Sequence, residues 1–294
     1  EMRERVGTLL SEHPPSARAA IDSLPVVTTF HALGVRLLRE FHEAMNLRRQ
    51  FVIYDRSDSQ KAVKAAIEKA SYDPKEFEPR KILSMISRAK GDAMTPLEYK
   101  DAANSYLEQV VGEVWDYYEE KLASEHALDF DDLLAKTLRL LKNNQTIREQ
   151  LQQRYKYIHV DEYQDTNRVQ FSIVELLTGE ENNVCVVGDI DQNIYSWRGA
   201  DIKNVLQFER HFPNTETVLL EENYRSTKTI IAASNDVIKK NQNRVDKTVF
   251  TNNQDGERIK LYAAMSGGHE ASYIAGEAKK LIAEGAAPSN IAVL

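Results

Sequence analysis

The chain has 294 residues, with 45 acidic against 38 basic side chains and a formal net charge of -7; at about 100–200 residues per domain, that allows two domains or one large one. Hydrophobic residues at 42% and charged ones at 28% exclude a disordered or low-complexity chain, and twelve Gly with eight Pro exclude a collagen-like one. A lone cysteine, Cys185, excludes an internal disulfide, no Cys/His cluster has zinc-site spacing, and apolar runs such as Val184–Val187 fall far short of the roughly 18–20 residues that span a bilayer.

The expectation is a soluble, intracellular protein. Its acidic balance argues against a large phosphate-binding surface, although a local groove can be basic on an acidic protein. The opening Glu1-Met-Arg-Glu-Arg5 reads as mid-helix, and Ile291–Leu294 reads as a strand just begun, so the chain is expected to be an excerpt of a longer one.

The first half reads as helix upon helix. Thr28 or Thr29 caps a helix whose apolar residues Phe30, Leu33, Leu37, Leu38 and Phe41 fall at helical spacing. Ser57-Asp-Ser-Gln60 is a capping-box pattern that opens a helix to about Ala70. Pro79–Lys90 gives another, with Gly91 placed to end it. Thr95-Pro-Leu-Glu98 is a second capping box, expected to start one long helix through Leu107, Val110, Val114, Tyr118 and Leu122. No strand pattern interrupts Asp55–Glu125.

From Tyr155 the pattern changes. Short apolar runs at Tyr157–Val160, Val184–Val187, Val218–Leu220, Ile259–Tyr262 and Ile291–Leu294 alternate with helical segments near Val169–Leu177, Ile202–Arg210, Thr227–Lys240 and Glu270–Ala283. That alternation implies an α/β fold with a mainly parallel sheet covered by helices. Functional groups in such folds gather at the carboxyl ends of the strands.

Polar signatures fall at those ends. Tyr157-Ile-His-Val-Asp-Glu162 runs a strand into two adjacent acids, followed by Tyr163-Gln-Asp-Thr166. Asp161 suits Mg2+, which keeps most of its water and needs only one or two carboxylates besides phosphates. Glu162 suits the orientation or deprotonation of an attacking water. A strand ending in a solvated acidic turn is the plainer alternative. The stretch Val186–Asp201 offers Gln192 as a candidate contact for a γ-phosphate or its water, Tyr195 and Trp197 as stacking faces, and Arg198 as a partner for an acid or phosphate. Tyr195 and Trp197 read equally as core aromatics.

Leu219-Leu-Glu-Glu-Asn-Tyr-Arg-Ser-Thr227 carries Tyr224, a candidate for base stacking, and Arg225, a candidate for neutralising a transferring phosphoryl group. A surface salt bridge is the other role for Arg225. Thr28-Thr-Phe-His31 opens a helix whose free N–H groups suit a phosphate, or is an ordinary cap with a surface His. Leu128-Asp-Phe-Asp-Asp-Leu133 sets Phe130 among acids that complement a helix dipole, where Phe130 would ordinarily be core.

TTFHALG, LDFDDLL, VDEYQDT, VVGDIDQNIYSWRGAD and LEENYRST stand here in that order. Together they resemble the UvrD/PcrA/Rep family of superfamily 1 DNA helicases over most of the chain. Asn193 and Glu222 stand where that family commonly has Ser and Gln.

The resemblance implies a RecA-like α/β fold, with domain 1A over residues 1–50 and 126–219, an all-helical insertion called 1B over 51–125, and the start of domain 2A over 220–294. It implies ATP and Mg2+ as cofactors, with ATP hydrolysed between two RecA-like domains. Asp161 and Glu162 would serve the metal, Glu162 the water, Gln192 the γ-phosphate, Tyr224 the adenine, and Arg225 would be an arginine finger. Thr29, Phe30, His31, Phe130, Tyr195, Trp197 and Arg198 would serve single-stranded DNA.

It implies 3′-to-5′ movement on single strands, action at single-strand/duplex junctions, work in repair or replication, and residence in the cytoplasm away from membranes. No Gly-Lys-Ser/Thr occurs in the sequence, so this chain by itself is expected to lack ATPase activity. Two other readings are a helicase-derived single-strand-binding or regulatory protein, and a helicase-like subunit of a nuclease complex.

Overall fold

Apolar residues at helical spacing, started by polar caps, build most of the first of two units, Glu1–Glu216; the second is Thr217–Leu294. The computed structural model describes residues 2–12, 25–180, 182–195, 199–241 and 247–294.

The first unit begins with α1, Met2–Glu12, and α2, Phe30–Glu40. Thr29, not Thr28, is the cap of α2, its hydroxyl oxygen accepting the Ala32 N–H at 3.3 Å. Leu37 and Leu38 on α2 are fully buried. Next come β1, Val52–Ile53, then α3, Arg56–Lys69, α4, Pro79–Gly91, α5, Pro96–Asp101, α6, Tyr106–Ser124, and β2, Ala127–Leu128. β1 and β2 pair in parallel, Val52 opposite Ala127 and Ile53 opposite Leu128. The chain therefore departs into the helical block and returns from it at one place. Val63, Ile67, Ile82, Ile86, Val110 and Trp115 meet in the block's core, each such burial being worth about 1.5–3 kcal/mol.

Three helix boundaries depart from the sequence pattern. Asp55 caps α3, its carboxylate accepting the Asp58 N–H at 2.8 Å; a charged acceptor ahead of Ser57 takes the helix start. α4 runs through Gly91, and the left-handed turn falls on Ala93, at φ 62. Thr95 and Glu98 form the expected capping box, but α5 stops at Asp101. A further box, Ser105 with Glu108, starts α6, so the single helix expected from Thr95 is two.

The rest of the unit is α7, Phe130–Asn143, α8, Gln145–Arg154, β3, Ile158–Val160, α9, Arg168–Thr178, β4, Val184–Val186, α10, Lys203–Leu206, and α11, Phe208–His211. The pattern at Ile202–Arg210 thus breaks into two short helices. β3 and β4 are parallel, pairing Ile158, His159 and Val160 with Val184, Cys185 and Val186. Val160, Tyr163, Phe171, Val174, Phe208 and Phe212 pack together beside them. α2 meets α7 at Gly34, where a Cβ would stand 2.5 Å from the Leu133 carbonyl oxygen. Arg154 on α8 forks onto the Glu40 carboxylate of α2, at 2.9 and 2.6 Å.

The second unit holds α12, Lys228–Ile238, capped at Thr227, and α13, Gly267–Ala283. The strands expected at Val218–Leu220, Ile259–Tyr262 and Ile291–Leu294 do not form. A strand exists through its ladder partner, and among the described residues here the pairing shrinks to one bridge, Glu222 with Phe250. Leu220 and Leu261 are 80% and 98% exposed accordingly. Sheets among the described residues have two strands each, both paired in parallel as expected, without strands from the later apolar runs. No helix among them is long and apolar enough to cross a membrane.

Candidate functional site

The carboxyl ends of β3 and β4 bring two sequence signatures together. The Val187 N–H donates to the Val160 carbonyl at 2.8 Å and the Tyr163 N–H to the Val187 carbonyl at 2.9 Å, which carries the pairing past both strands. Asp161 and Glu162 lie exposed at this end. Glu162 sits at φ 51, in the left-handed region, a conformation costing a non-glycine residue about 1–3 kcal/mol unless its surroundings hold it.

The Glu162 carbonyl accepts the Asp165 N–H at 2.9 Å, and Gln164 ties the Glu162 carboxylate to the neighbouring loop. Gln164 is 1% exposed, its Nε2 donates to Glu162 Oε2 at 2.8 Å, and its Oε1 accepts the Asp189 N–H at 2.9 Å. The side chain of Asn193 donates to the Gln164 carbonyl at 2.5 Å. Gly188 must lack a side chain, because a Cβ there would meet Gln164 Oε1 at 2.8 Å and its backbone nitrogen at 3.2 Å. Asp189 in turn accepts from Gln192 Nε2 at 2.8 Å. Glu162 and Gln192, read separately in the sequence, thus belong to one hydrogen-bonded assembly.

Thr166 ties the same segment to the residues before and within α10. Its carbonyl accepts from Asn204 Nδ2 at 2.9 Å and from the Asp201 N–H at 3.1 Å. Sequence reasoning did not single out Gln164, although the Tyr163-Gln-Asp-Thr166 run was the signal. Tyr195 is exposed in the same loop. Trp197 and Arg198 lie outside the described residues.

Hard divalent cations take oxygen donors and retain water, and the acids fit that chemistry. Asp161 Oδ1 accepts the Glu162 N–H at 3.0 Å and Glu162 Oε2 serves Gln164, so each carboxylate keeps its other oxygen. Among the described residues no group of three or more His, Cys, Asp or Glu is placed to hold a metal.

A second assembly forms where two helices start. His31 on α2 and Phe130 on α7 stand with ring centroids 5.8 Å apart and planes at 59°. Phe130 is 53% exposed, the opposite of a core ring. Burial lowers the His31 pKa, which favours the neutral imidazole. Thr29 is exposed beside them, whereas Phe30 is half-buried and packs onto the cores under α2.

In the second unit, Asn223 builds the loop before α12. Its Oδ1 accepts the Arg225 and Ser226 N–H groups at 3.0 and 2.7 Å, an Asx-type turn. Asn253 braces the loop, donating to the Tyr224 and Ser226 carbonyls at 3.1 and 3.0 Å. Tyr224 is 78% exposed and donates its hydroxyl to Glu222 Oε2 at 2.8 Å, a bond that raises its pKa. Arg225 is exposed. The bracing segment Thr248–Gln254 carried no signal in the sequence.

Comparison with known proteins adds two family matches and several relatives. Residues 1–213 match the UvrD/REP helicase N-terminal domain, and residues 218–294 match the UvrD-like helicase C-terminal domain. Such domains carry a RecA-like α/β fold. The chain is 42% identical over its whole length to the ATP-dependent DNA helicase PcrA of Bacillus subtilis, of which it covers 39%. It is 40% identical over its whole length to PcrA of Staphylococcus aureus, again covering 39%. Over 96% of its length it is 43% identical to PcrA of Leuconostoc citreum, covering 37%. The chain thus spans about two fifths of the length of the curated relatives it matches.

Proposed function

Because the chain belongs to the UvrD/REP helicase family, we propose that it is part of a longer cytoplasmic ATP-dependent DNA helicase that moves 3′ to 5′ on single strands and opens duplex at junctions, in repair or replication. Its domains would be 1A over 1–50 and 126–219, the helical insertion 1B over 51–125, and the start of 2A from 220. ATP with Mg2+ supplies a transferable phosphoryl group whose charge is partly neutralised by the metal.

The chain's own residues then do the positioning. Asp161 would hold a water of the metal shell, and Glu162 would orient the attacking water and take its proton. Gln192 would contact the γ-phosphate, Tyr224 would stack on the adenine, and Arg225 would neutralise developing charge. His31 and Phe130 would present a stacking face to bases, joined by Thr29, Tyr195, Trp197 and Arg198. Phe30 would shape the start of α2 from beneath more than touch DNA.

The observation that carries this reading is Glu162 in a left-handed conformation, held by Gln164 to the loop of Asp189 and Gln192. Such a conformation recurs elsewhere in the chain, as at Ala93; what distinguishes Glu162 is that it coincides with the bonds joining two motif loops. The test is Glu162→Gln in the full-length protein. The amide keeps the shape of the side chain and cannot act as a base, so ATP turnover should vanish while nucleotide binding stays. Turnover near that of the parent would remove Glu162 from the chemistry.

A further inference from the structure

The two carboxylates that start α7 each divide their oxygens between two tasks. Asp129 Oδ1 accepts the Asp132 N–H at 2.7 Å, and Asp132 Oδ2 accepts the Asp129 N–H at 3.3 Å, which closes the capping box. The remaining oxygens, Asp129 Oδ2 and Asp132 Oδ1, both receive Lys90 Nζ from α4 at 2.9 Å. The same ammonium reaches Glu119 Oε1 on α6 at 2.8 Å. Lys90 is 3% exposed, so its three donors are all used and all inside the protein. Burial alone would lower the Lys90 pKa, but Asp132, Asp129 and Glu119 together hold it well above the usual lysine range.

Other groups complete the cluster. The Tyr118 hydroxyl donates to Asp129 Oδ2 at 2.9 Å, and Trp115 Nε1 donates to Glu119 Oε1 at 3.1 Å. Lys136, one turn along α7, approaches Glu119 at 3.5 Å and Asp132 at 3.7 Å. Three elements, α4, α6 and the first turn of α7, converge on one nitrogen.

A capping box alone starts a helix, as Thr95 and Ser105 show in this chain. A buried ion cluster is a poor route to stability, since apolar side chains of like volume do as well or better. What the cluster does provide is a fixed place for the first turn of α7 against the helical block. Phe130 lies in that turn, between the two capping acids, with half its surface in solvent.

We infer that Lys90 is a positioning residue: through the capping carboxylates of α7 it sets where Phe130 stands beside His31, and so the geometry of base stacking. The inference rests on the reading of Phe130 as a single-strand contact.

A double-mutant cycle in the full-length protein separates this role from a merely structural one. Binding to a fluorescent oligo(dT) is measured for Lys90→Met, Phe130→Ala and the pair, with folding followed by circular dichroism. Each single variant should weaken binding within the range of about 5- to 150-fold set by one base–aromatic stack. The pair should be no weaker than Phe130→Ala alone within about twofold, the margin within which independent effects add.

If Lys90→Met does not fold, Tyr118→Phe takes its place in the cycle. It removes one hydroxyl from Asp129 Oδ2 and should weaken binding by more than the twofold additivity margin and by no more than Phe130→Ala does, again absorbed by Phe130→Ala. Losses that multiply, or a folded variant binding like the parent, overturn the inference alone. Unchanged binding by folded Phe130→Ala overturns the strand-contact reading itself, and the inference falls with it.

Discussion

Gly34→Ala sets helix propensity against packing, and the structure says which wins. Gly34 lies within α2, where alanine in its place would favour the helix by about 0.5–1 kcal/mol. An added Cβ would stand 2.5 Å from the Leu133 carbonyl oxygen, 3.2 Å from its carbon and 3.0 Å from Thr137 Oγ1. The nearest atom is backbone, and that carbonyl already accepts the Thr137 hydroxyl at 2.6 Å. No rotamer change relieves the contact; α2 and α7 must move apart.

Overpacking of this kind costs about 1–3 kcal/mol. After the propensity gain, the net expectation is a loss of about 1–2 kcal/mol, or roughly 2–8 °C in melting temperature for a unit of this size. Urea unfolding followed by circular dichroism measures it. Gly91→Ala is the control: Gly91 is also helical, yet a Cβ there meets nothing within 4 Å. That variant should be as stable as the parent or slightly more so. Equal stability gains in both variants would refute the packing argument at Gly34.

Arg225→Ala in the full-length protein should lower ATP turnover by about 10³–10⁵, the span an arginine finger can contribute; a loss under about tenfold would leave Arg225 without contact to the transferring group. The Glu40–Arg154 pair should matter little and only above acidic pH. Arg154 holds the Glu40 pKa below the usual carboxylate range, so its contribution is present above the unfolded value, about 4.3, and is lost as pH falls through the folded one. With both side chains about a third exposed, Glu40→Gln should cost less than about 1 kcal/mol at pH 7. The urea-midpoint difference from the parent should narrow as pH falls below about 4.3, and a gap that widens there would show the sign to be wrong.

Local chemistry was legible in the chain. Thr95 with Glu98 announces its box because both partners lie within one turn, and the β3 and β4 runs are apolar enough to be read alone. Ser105 was hidden because the apolar spacing around Leu107 continues smoothly from α5. The acids Asp129 and Asp132 read as helix-dipole partners, which they are, but their bonds to Lys90 span 39 and 42 residues and leave no trace in local pattern. Gln164 was visible only as part of a motif, because its role needs the backbone of Asp189 from another loop. The expected strands at Val218–Leu220 and Ile259–Tyr262 misled for the converse reason: apolar β-formers state a preference, and a ladder needs a neighbour.

The pairing of β1 with β2 has a consequence for how such a chain tolerates growth. Parallel strands cannot be joined by a hairpin; they need a crossover of about a dozen residues or more, and here the whole helical block serves as that crossover. Closing a connection roughly sixfold longer adds only about 1.5 kcal/mol of loop entropy, because the cost rises with the logarithm of length. A connection with a core of its own offsets that many times over. The ladder at Val52–Ala127 is therefore indifferent to how much protein is threaded between its strands. What resists exchange of the block is Asp129 and Asp132, which any substitute would have to supply with a cation.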